Sequence, residues 1–241
     1  MISVSVVGAT GRMGQLAIEL INDDANLKLH SALDSKSSLD QMLGADVVLD
    51  FTLPDVSPKV VEFAIANDLK VVVGTSGWSE IKLAGIEKQL ASHPAAAVVV
   101  IPNFSIGSML GQRFAAMAAR YFDSIEIVEA HHAGKIDSPS GTAVRTAEQI
   151  AKAREGMVQP LIPGVDQEAR GQVVAGVPIH SLRLKGVSAK QDVHFGGSDE
   201  VLTISHDVSS HRAYSQGILL SIDFALKATG LTVGLDQVVA G

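Results

Sequence analysis

The sequence predicts an α/β protein in two parts, a doubly wound parallel sheet followed by a smaller α+β region. Three observations predict it. Strand-like and helix-like runs alternate as far as Phe104, a glycine-rich turn joins the first strand to the first helix, and beyond Phe104 the strand-like runs crowd together. Strands separated by helix-length connections run parallel, and such sheets are covered on both faces.

Ile2–Val7 is a short β-rich run that leads into Gly8-Ala9-Thr10-Gly11-Arg12-Met13-Gly14. A helix follows, with Met13, Leu16, Ala17, Leu20 and Ile21 on one face. Leu27–Leu33 is the second strand and ends at Asp34, and Val47–Phe51 is the third. Val60–Ala66 falls on a helix before the fourth strand, Val71–Val73. A helix over Ile81–Leu90 precedes the fifth strand, Ala97–Ile101. After Pro102-Asn103-Phe104 comes a small-residue helix, Ser108 to Tyr121, and the strand Ser124–Ala130. Another helix is expected from Gly141 to Arg154. Gly156 to Pro178 holds glycines and prolines in the density of a mobile loop or lid. Ile179–Leu184, Ala189–Phe195 and Val201–Ser205 follow as closely spaced strands, expected to be antiparallel, and Tyr214–Leu226 reads as a helix that returns to the first sheet.

Composition removes several classes of function. The 241 residues carry a net charge of −7, so no general basic footprint for nucleic acid exists. Cysteine is absent, which excludes disulfides, thiolate chemistry and cysteine metal sites and fits a reducing compartment. The longest apolar run, Ala95 to Ile101, lies between Pro94 and Pro102 and is far short of the ~20 residues a membrane span needs. No basic stretch precedes the first strand, as a signal peptide would require. The expectation is a soluble, cytoplasmic protein without membrane or nucleic-acid partners.

Gly8, Gly11 and Gly14 lie between a strand and a helix, the context of a Rossmann-like dinucleotide-binding turn. Glycines permit the tight turn and close backbone approach, while the helix N-terminus faces a pyrophosphate. Alone, this spacing is also that of an ordinary glycine-rich turn. Asp34 strengthens the nucleotide reading, because it ends the second strand twenty residues after Gly14 (34 − 14), where a carboxylate accepts from a ribose hydroxyl. A carboxylate there favours NADH over NADPH, although Arg12 and Lys36 are near enough in sequence to receive a 2′-phosphate. Gly74-Thr75-Ser76-Gly77 and Pro102-Asn103-Phe104-Ser105 also follow strands, where α/β sheets place ligands, and each also reads as a plain turn. Trp78, the single tryptophan, reads as a packing residue.

The densest chemistry is Glu129 to Thr142, EAHHAGKIDSPSGT. His131 and His132 bring imidazoles that exchange protons near neutrality. Lys135 adds a cation, and Ser140-Gly141-Thr142 forms a helix start whose N–H groups and hydroxyls suit a carboxylate or phosphate. Together they describe a reaction site for a small acidic molecule. At a strand end the two histidines face opposite sides, so one reaches substrate while the other packs. Asp137 reads as an orienter of the loop or of Lys135, and Ser140 as an N-cap. Zinc would want three or four ligands of suitable type, and this spacing does not provide them, so no metal is expected. His180, His194 and His206 read as structural or substrate-adjacent, and His30, His93 and His211 carry no signal.

These residues resemble one family, the 4-hydroxy-tetrahydrodipicolinate (dihydrodipicolinate) reductases of the diaminopimelate–lysine pathway, in an actinobacterial-like form. The resemblance rests on the Gly8–Gly14 turn, Asp50-Phe51-Thr52, Gly74-Thr75, Asn103-Phe104-Ser105, Ala169-Arg170-Gly171 through His180, and above all the run Glu129 to Ala143. It implies a nucleotide-binding domain of residues 1–104 and 213–241, and a substrate domain of residues 105–212 whose open mixed sheet builds a homotetramer. It implies hydride transfer from NADH or NADPH to C4 of a dehydrated cyclic imine dicarboxylate, then protonation of an enamine-like carbon. In that scheme His131 donates the proton with help from Lys135, while His132, Lys135, Ser140, Gly141 and Thr142 hold the carboxylates. Gly8, Ala9, Thr10, Gly11, Arg12, Met13, Asp34, Gly74, Thr75, Ser76, Ile101, Pro102, Asn103 and Phe104 would contact the cofactor. Two positions depart from the family pattern. Ser76 replaces a usual threonine, and His211 stands where an arginine is usual, with Arg212 one place later. Two other readings compete: another two-domain nicotinamide dehydrogenase, and a nicotinamide-sensing protein without catalysis.

Overall fold

Valine-rich runs build the first sheet, because β-branched side chains are stiff at χ1 and pack well on a pleated surface. In the computed structural model the described residues are 1–158, 162–164 and 167–240. In chain order the elements are β1 (Ile2–Val7), α1 (Arg12–Asp23), β2 (Leu27–Leu33), β3 (Val47–Asp50), α2 (Ser57–Ala66), β4 (Lys70–Val73), α3 (Glu80–Leu90) and β5 (Ala97–Val100). They continue with α4 (Ile106–Ala118), β6 (Ser124–His132), α5 (Gly141–Ala153), β7 (Gln172–Val174), β8 (Val177–Leu184), β9 (Ala189–Gly196) and β10 (Val201–Val208). The last are α6 (Ser215–Lys227), β11 (Gly230–Val233) and α7 (Leu235–Ala240). The chain divides into two compact units, Gly107–Ser210 and the remainder on either side of it.

In the first unit six strands lie in the order β11-β5-β4-β3-β1-β2, every neighbouring pair parallel. Val48, Val71, Val73, Val98 and Val100 pack with Val60, Val61 and Ile65 of α2 and Ile86 of α3. Their sequence neighbours Leu49, Val72 and Val99 are buried too, so both faces are covered, and α6 lies against β3, β4 and β5. This is the doubly wound sheet the alternation predicts. Trp78 packs, partly buried, against the same core. The returning helix is α6, one residue off its expected start. β11 has no counterpart in the sequence reading. Its four residues carry too little pattern to separate from a loop, and only pairing with β5 makes it a strand.

The second unit holds a mixed sheet in the order β10-β9-β6-β8-β7. Ile125, Ile127, Ile179, Val193 and Phe195 bury one face against Ala143, Ala147 and Ile150 of α5 and Ala115 of α4. β8, β9 and β10 run antiparallel in turn, as expected. β8 and β9 do not pair with each other: β6 lies between them, parallel to β8 and antiparallel to β9. Residues 185–188 therefore cross the carboxyl end of β6, where the His132 N–H donates to the Ser188 carbonyl (3.3 Å). The expected loop from Gly156 to Pro178 is corrected, since it contains a 3₁₀ turn at Glu168–Arg170, β7 and the start of β8. Glycines mark its turns: Gly171 and Gly176 have φ of 74° and 80°, a region that favours glycine. Residues 159–161, 165 and 166 of that stretch lie outside the described residues.

Gly217 shows how tightly α6 meets the loop after β5, because a Cβ there would run into the Phe104 carbonyl oxygen. Gly85, within α3, would meet nothing. Gly217→Ala should therefore cost about 1–3 kcal/mol through overpacking, whereas Gly85→Ala should gain about 0.5–1 kcal/mol through helix propensity. Urea unfolding of the two variants checks both signs.

Candidate active site

The first candidate site lies at the carboxyl ends of β1 to β5. Gly8 has φ 82°, and a Cβ on it would sit 2.5 Å from the Phe51 carbonyl oxygen. A Cβ on Gly14 would strike the Gly8 carbonyl. These glycines are thus demanded by the packing of the turn, and they keep its backbone bare. Gly11, the N-cap of α1, has no side chain to satisfy the first-turn N–H groups. Positive backbone ends without a capping side chain suit a pyrophosphate.

Three loops gather around this turn. A Cβ on Gly74 would enter the rings of Phe51 and Phe104, which meet edge to face with centroids 5.7 Å apart. Asp50, wholly buried at the end of β3, accepts from Thr52 N (2.9 Å), Thr52 Oγ1 (2.6 Å), the Ser57 hydroxyl and Thr75 Oγ1 (3.4 Å). That carboxylate ties the Thr52 and Thr75 loops together. The Asn103 side chain accepts from Ser105 N (2.9 Å), shaping the loop after β5. Ser76 and Pro102 are exposed, and Ile101 is buried with its N–H bonded to Val73.

Asp34 stands exposed at the end of β2. Its Oδ1 accepts from Lys36 N (2.9 Å) and Ser37 Oγ (2.9 Å), an Asx turn that fixes the carboxylate. The Lys36 N–H, with Ser37, holds the carboxyl below the usual aspartate value. Oδ2 has no hydrogen-bond partner among the described residues, so one oxygen remains for a hydroxyl donor. Arg12 is exposed on the first turn of α1, and Arg212 pairs instead with Glu19.

The second candidate site is built on the end of β6. Alternation along the strand puts Glu129 and His131 on the face toward α5, with Arg183 of β8 paired beside His131. Glu129 is completely buried. Its Oε2 accepts from His131 Nδ1 (2.6 Å) and Arg183 Nη1 (3.0 Å), and its Oε1 accepts from Arg183 Nη2 (3.0 Å) and Ser140 N (3.2 Å). Burial pushes the Glu129 carboxyl up, but hydrogen bonds from Arg183, Ser181 and His131 outweigh it and hold the group below its ordinary value. A carboxylate only accepts, so His131 donates from Nδ1 and leaves Nε2 as its second functional nitrogen.

Ser140 Oγ accepts from Ala143 N (3.2 Å) and is the N-cap of α5, as its position in the sequence predicts. Lys135 Nζ donates to both oxygens of Asp137 (2.7 and 2.6 Å), which holds that aspartate below its usual value. His131, Lys135 and the Ser140-Gly141-Thr142 turn are thus brought to one place. His132 is not: one residue on, it lies on the opposite face, exposed and paired in register with Leu184. His180 pairs with Glu126 (2.7 Å) and His194 with Thr203 (3.1 Å), which accounts for both as structural groups. His206 is partly buried, and burial lowers its proton affinity. The sequence reading missed Arg183 altogether. A charged residue on the core-facing side of Ile179–Leu184 was the available signal.

A parallel sheet with a bare glycine turn, a carboxylate closing its second strand, and a histidine–carboxylate site on a separate sheet define a two-unit nucleotide-dependent α/β enzyme. "Dihydrodipicolinate reductase, N-terminus" matches residues 2–104 and "Dihydrodipicolinate reductase, C-terminus" matches residues 107–239. The 4-hydroxy-tetrahydrodipicolinate reductase of Clavibacter michiganensis subsp. michiganensis is 54% identical, across 98% of this chain and 86% of its own length. That of Cutibacterium acnes is 42% identical across 98% of both chains. A dipicolinate-bound dihydrodipicolinate reductase from Paenisporosarcina sp. TG-14 superposes with a TM-score of 0.84 at 32% identity, covering 98% of this chain and 99% of that one. This chain belongs to the dihydrodipicolinate reductase family.

The lowered Glu129 carboxyl fixes the sign of a pH effect. Its stabilising contribution is complete above the ordinary value of 4.5 and is lost as pH falls through the lower folded value. Thermal midpoints should therefore drop on acidification below about pH 4.5. Glu129→Gln should start lower at neutral pH and drop less steeply, and identical slopes would assign the acid sensitivity to other groups.

Proposed function

We propose that this chain reduces the dehydrated form of 4-hydroxy-tetrahydrodipicolinate to tetrahydrodipicolinate with NADH or NADPH, on the diaminopimelate route to lysine. The observation that carries the reading is the buried Glu129 fixing His131 beside Lys135 and the start of α5, within a chain of this family. When bound, the reduced nicotinamide supplies a hydride, and the rest of the chemistry falls to the protein. Hydride addition at C4 of the conjugated imine moves the π electrons toward the ring nitrogen. The neighbouring enamine-like carbon then takes a proton, and one hydride and one proton complete the reduction without a metal.

His131 is the proton donor, with Nδ1 committed to Glu129 and Nε2 left to act. Lys135 assists it and, with Ser140, Gly141 and Thr142, takes the substrate carboxylates, while His132, on the opposite face of β6, stands apart from them. Residues 1–104 and 213–241 form the nucleotide domain, in which Gly8 to Met13, Asp34, Gly74 to Ser76 and Ile101 to Phe104 hold the cofactor. Oδ2 of Asp34 supports a preference for NADH, because the carboxylate would repel a 2′-phosphate. Residues 105–212 form the substrate and assembly domain. Its sheet face away from α5 exposes Leu182, Leu184 and Val201, which supports burial in a homotetramer. No described helix is long and apolar enough to cross a membrane, and the reading includes a cytoplasmic location.

Loss of nicotinamide absorbance, with substrate made in place from pyruvate and aspartate semialdehyde by the preceding synthase, tests the reaction. His131→Gln should lower kcat about 10²–10⁴-fold while NADH binding persists. A wild-type rate in that variant would remove His131 as the donor. Asp34→Ala should raise the apparent KM for NADH about tenfold or more, the scale of a lost hydrogen bond to a charged group, and change that for NADPH less. Equal effects on both would undo the ribose assignment.

A further inference from the structure

Arg183 is engaged at every donor it has. A guanidinium carries five N–H groups. Here Nε donates to the Lys135 carbonyl (3.3 Å), Nη1 to Glu129 Oε2 (3.0 Å) and the Leu182 carbonyl (2.7 Å), and Nη2 to Glu129 Oε1 (3.0 Å) and the Asp137 carbonyl (2.6 Å). No N–H is left for a ligand. Its acceptors are the carboxylate that holds His131 and Ser140 N, two carbonyls of the loop that carries Lys135, and the adjoining Leu182 carbonyl.

We propose that Arg183 is a positioning residue that fixes the proton donor, the lysine loop and the anion-binding turn through one guanidinium. The inference rests on the role given to His131 above. Glu129 alone could not do this, since burial disfavours its charged form and Arg183 leads the groups that offset that cost. With Arg183 in fork geometry, both Glu129 oxygens are fixed in direction, and each accepts a further bond. Oε2 accepts from His131 Nδ1, which sets the tautomer, and Oε1 accepts from Ser140 N, which sets the start of α5. Two of the remaining N–H groups close residues 135–137 onto β8, so Lys135 leaves from an anchored backbone. Lysine cannot substitute, because an ammonium has three donors and no planar fork.

The test compares wild type, Arg183→Lys, Arg183→Ala and His131→Gln in the synthase-coupled assay, with NADH titrations and ¹⁵N-histidine NMR of the intact protein. Outer partners of this kind are worth about 10–100-fold. Arg183→Lys should therefore lower kcat by at least about tenfold with KM for NADH within about twofold, and the Nδ1–H signature of His131 should weaken. Guanidinium added to Arg183→Ala should restore part of the lost kcat, which a general loss of structure would not allow. A kcat for Arg183→Lys close to wild type overturns the proposal. So does a fall in kcat matched by loss of NADH binding, or a His131 spectrum that does not change. If His131→Gln itself keeps the wild-type rate, the donor role is what has failed, whereas a collapse in His131→Gln beside an intact Arg183→Lys leaves the donor standing and removes Arg183.

Discussion

A single buried carboxylate governs the second site. Glu129 has no exposed surface, and charge in that setting costs several kcal/mol after relaxation unless it is paired and hydrogen-bonded. The compensation comes from Arg183, Ser140 N and His131. Each partner is thereby fixed as strongly as the carboxylate needs it. Geometry useful for chemistry is in this sense a consequence of burying Glu129. An apolar residue there would relieve the electrostatic demand and leave the imidazole free to rotate and choose either tautomer.

The first unit uses the same device for a different end. Asp50 is also wholly buried, and its partners are hydroxyls and a backbone N–H from Thr52, Ser57 and Thr75. Its four acceptor interactions hold two of the loops that follow strands, while the Phe51–Phe104 contact closes around Gly74. Both units thus set loops at strand ends by satisfying one buried acid. This explains why Asp50 and Glu129 sit within short recognisable runs, although neither is placed to touch a ligand first.

Much of this was legible in the sequence where a pattern repeats or a residue type is chemically rare. The doubly wound sheet followed from valine runs at helix-length intervals, and the turn around Gly8 from three glycines between a strand and a helix. Ser140 as an N-cap followed from its place before Gly141 and Thr142. What stayed hidden depends on long-range pairing. The central place of β6 was invisible because spacing reports chain distance and not sheet order. Arg183 was missed because it meets Glu129 from 54 residues away, through a register that only the fold supplies. The opposite facing of His131 and His132 was legible too, because neighbours on a strand alternate. β7 stays hidden in the sequence because its three residues are too few for a period-two signal.

The isotopic pattern of the product tests the account most directly. NADH deuterated at the transferred position should place one deuterium at C4 of the product in ordinary water. Unlabelled NADH in D₂O should place solvent deuterium on the carbon beside it and none at C4. That pattern, in a reaction dependent on His131, is what hydride transfer followed by protonation from the Glu129-held imidazole requires. Solvent deuterium at C4, or coenzyme deuterium at any other carbon, would contradict it.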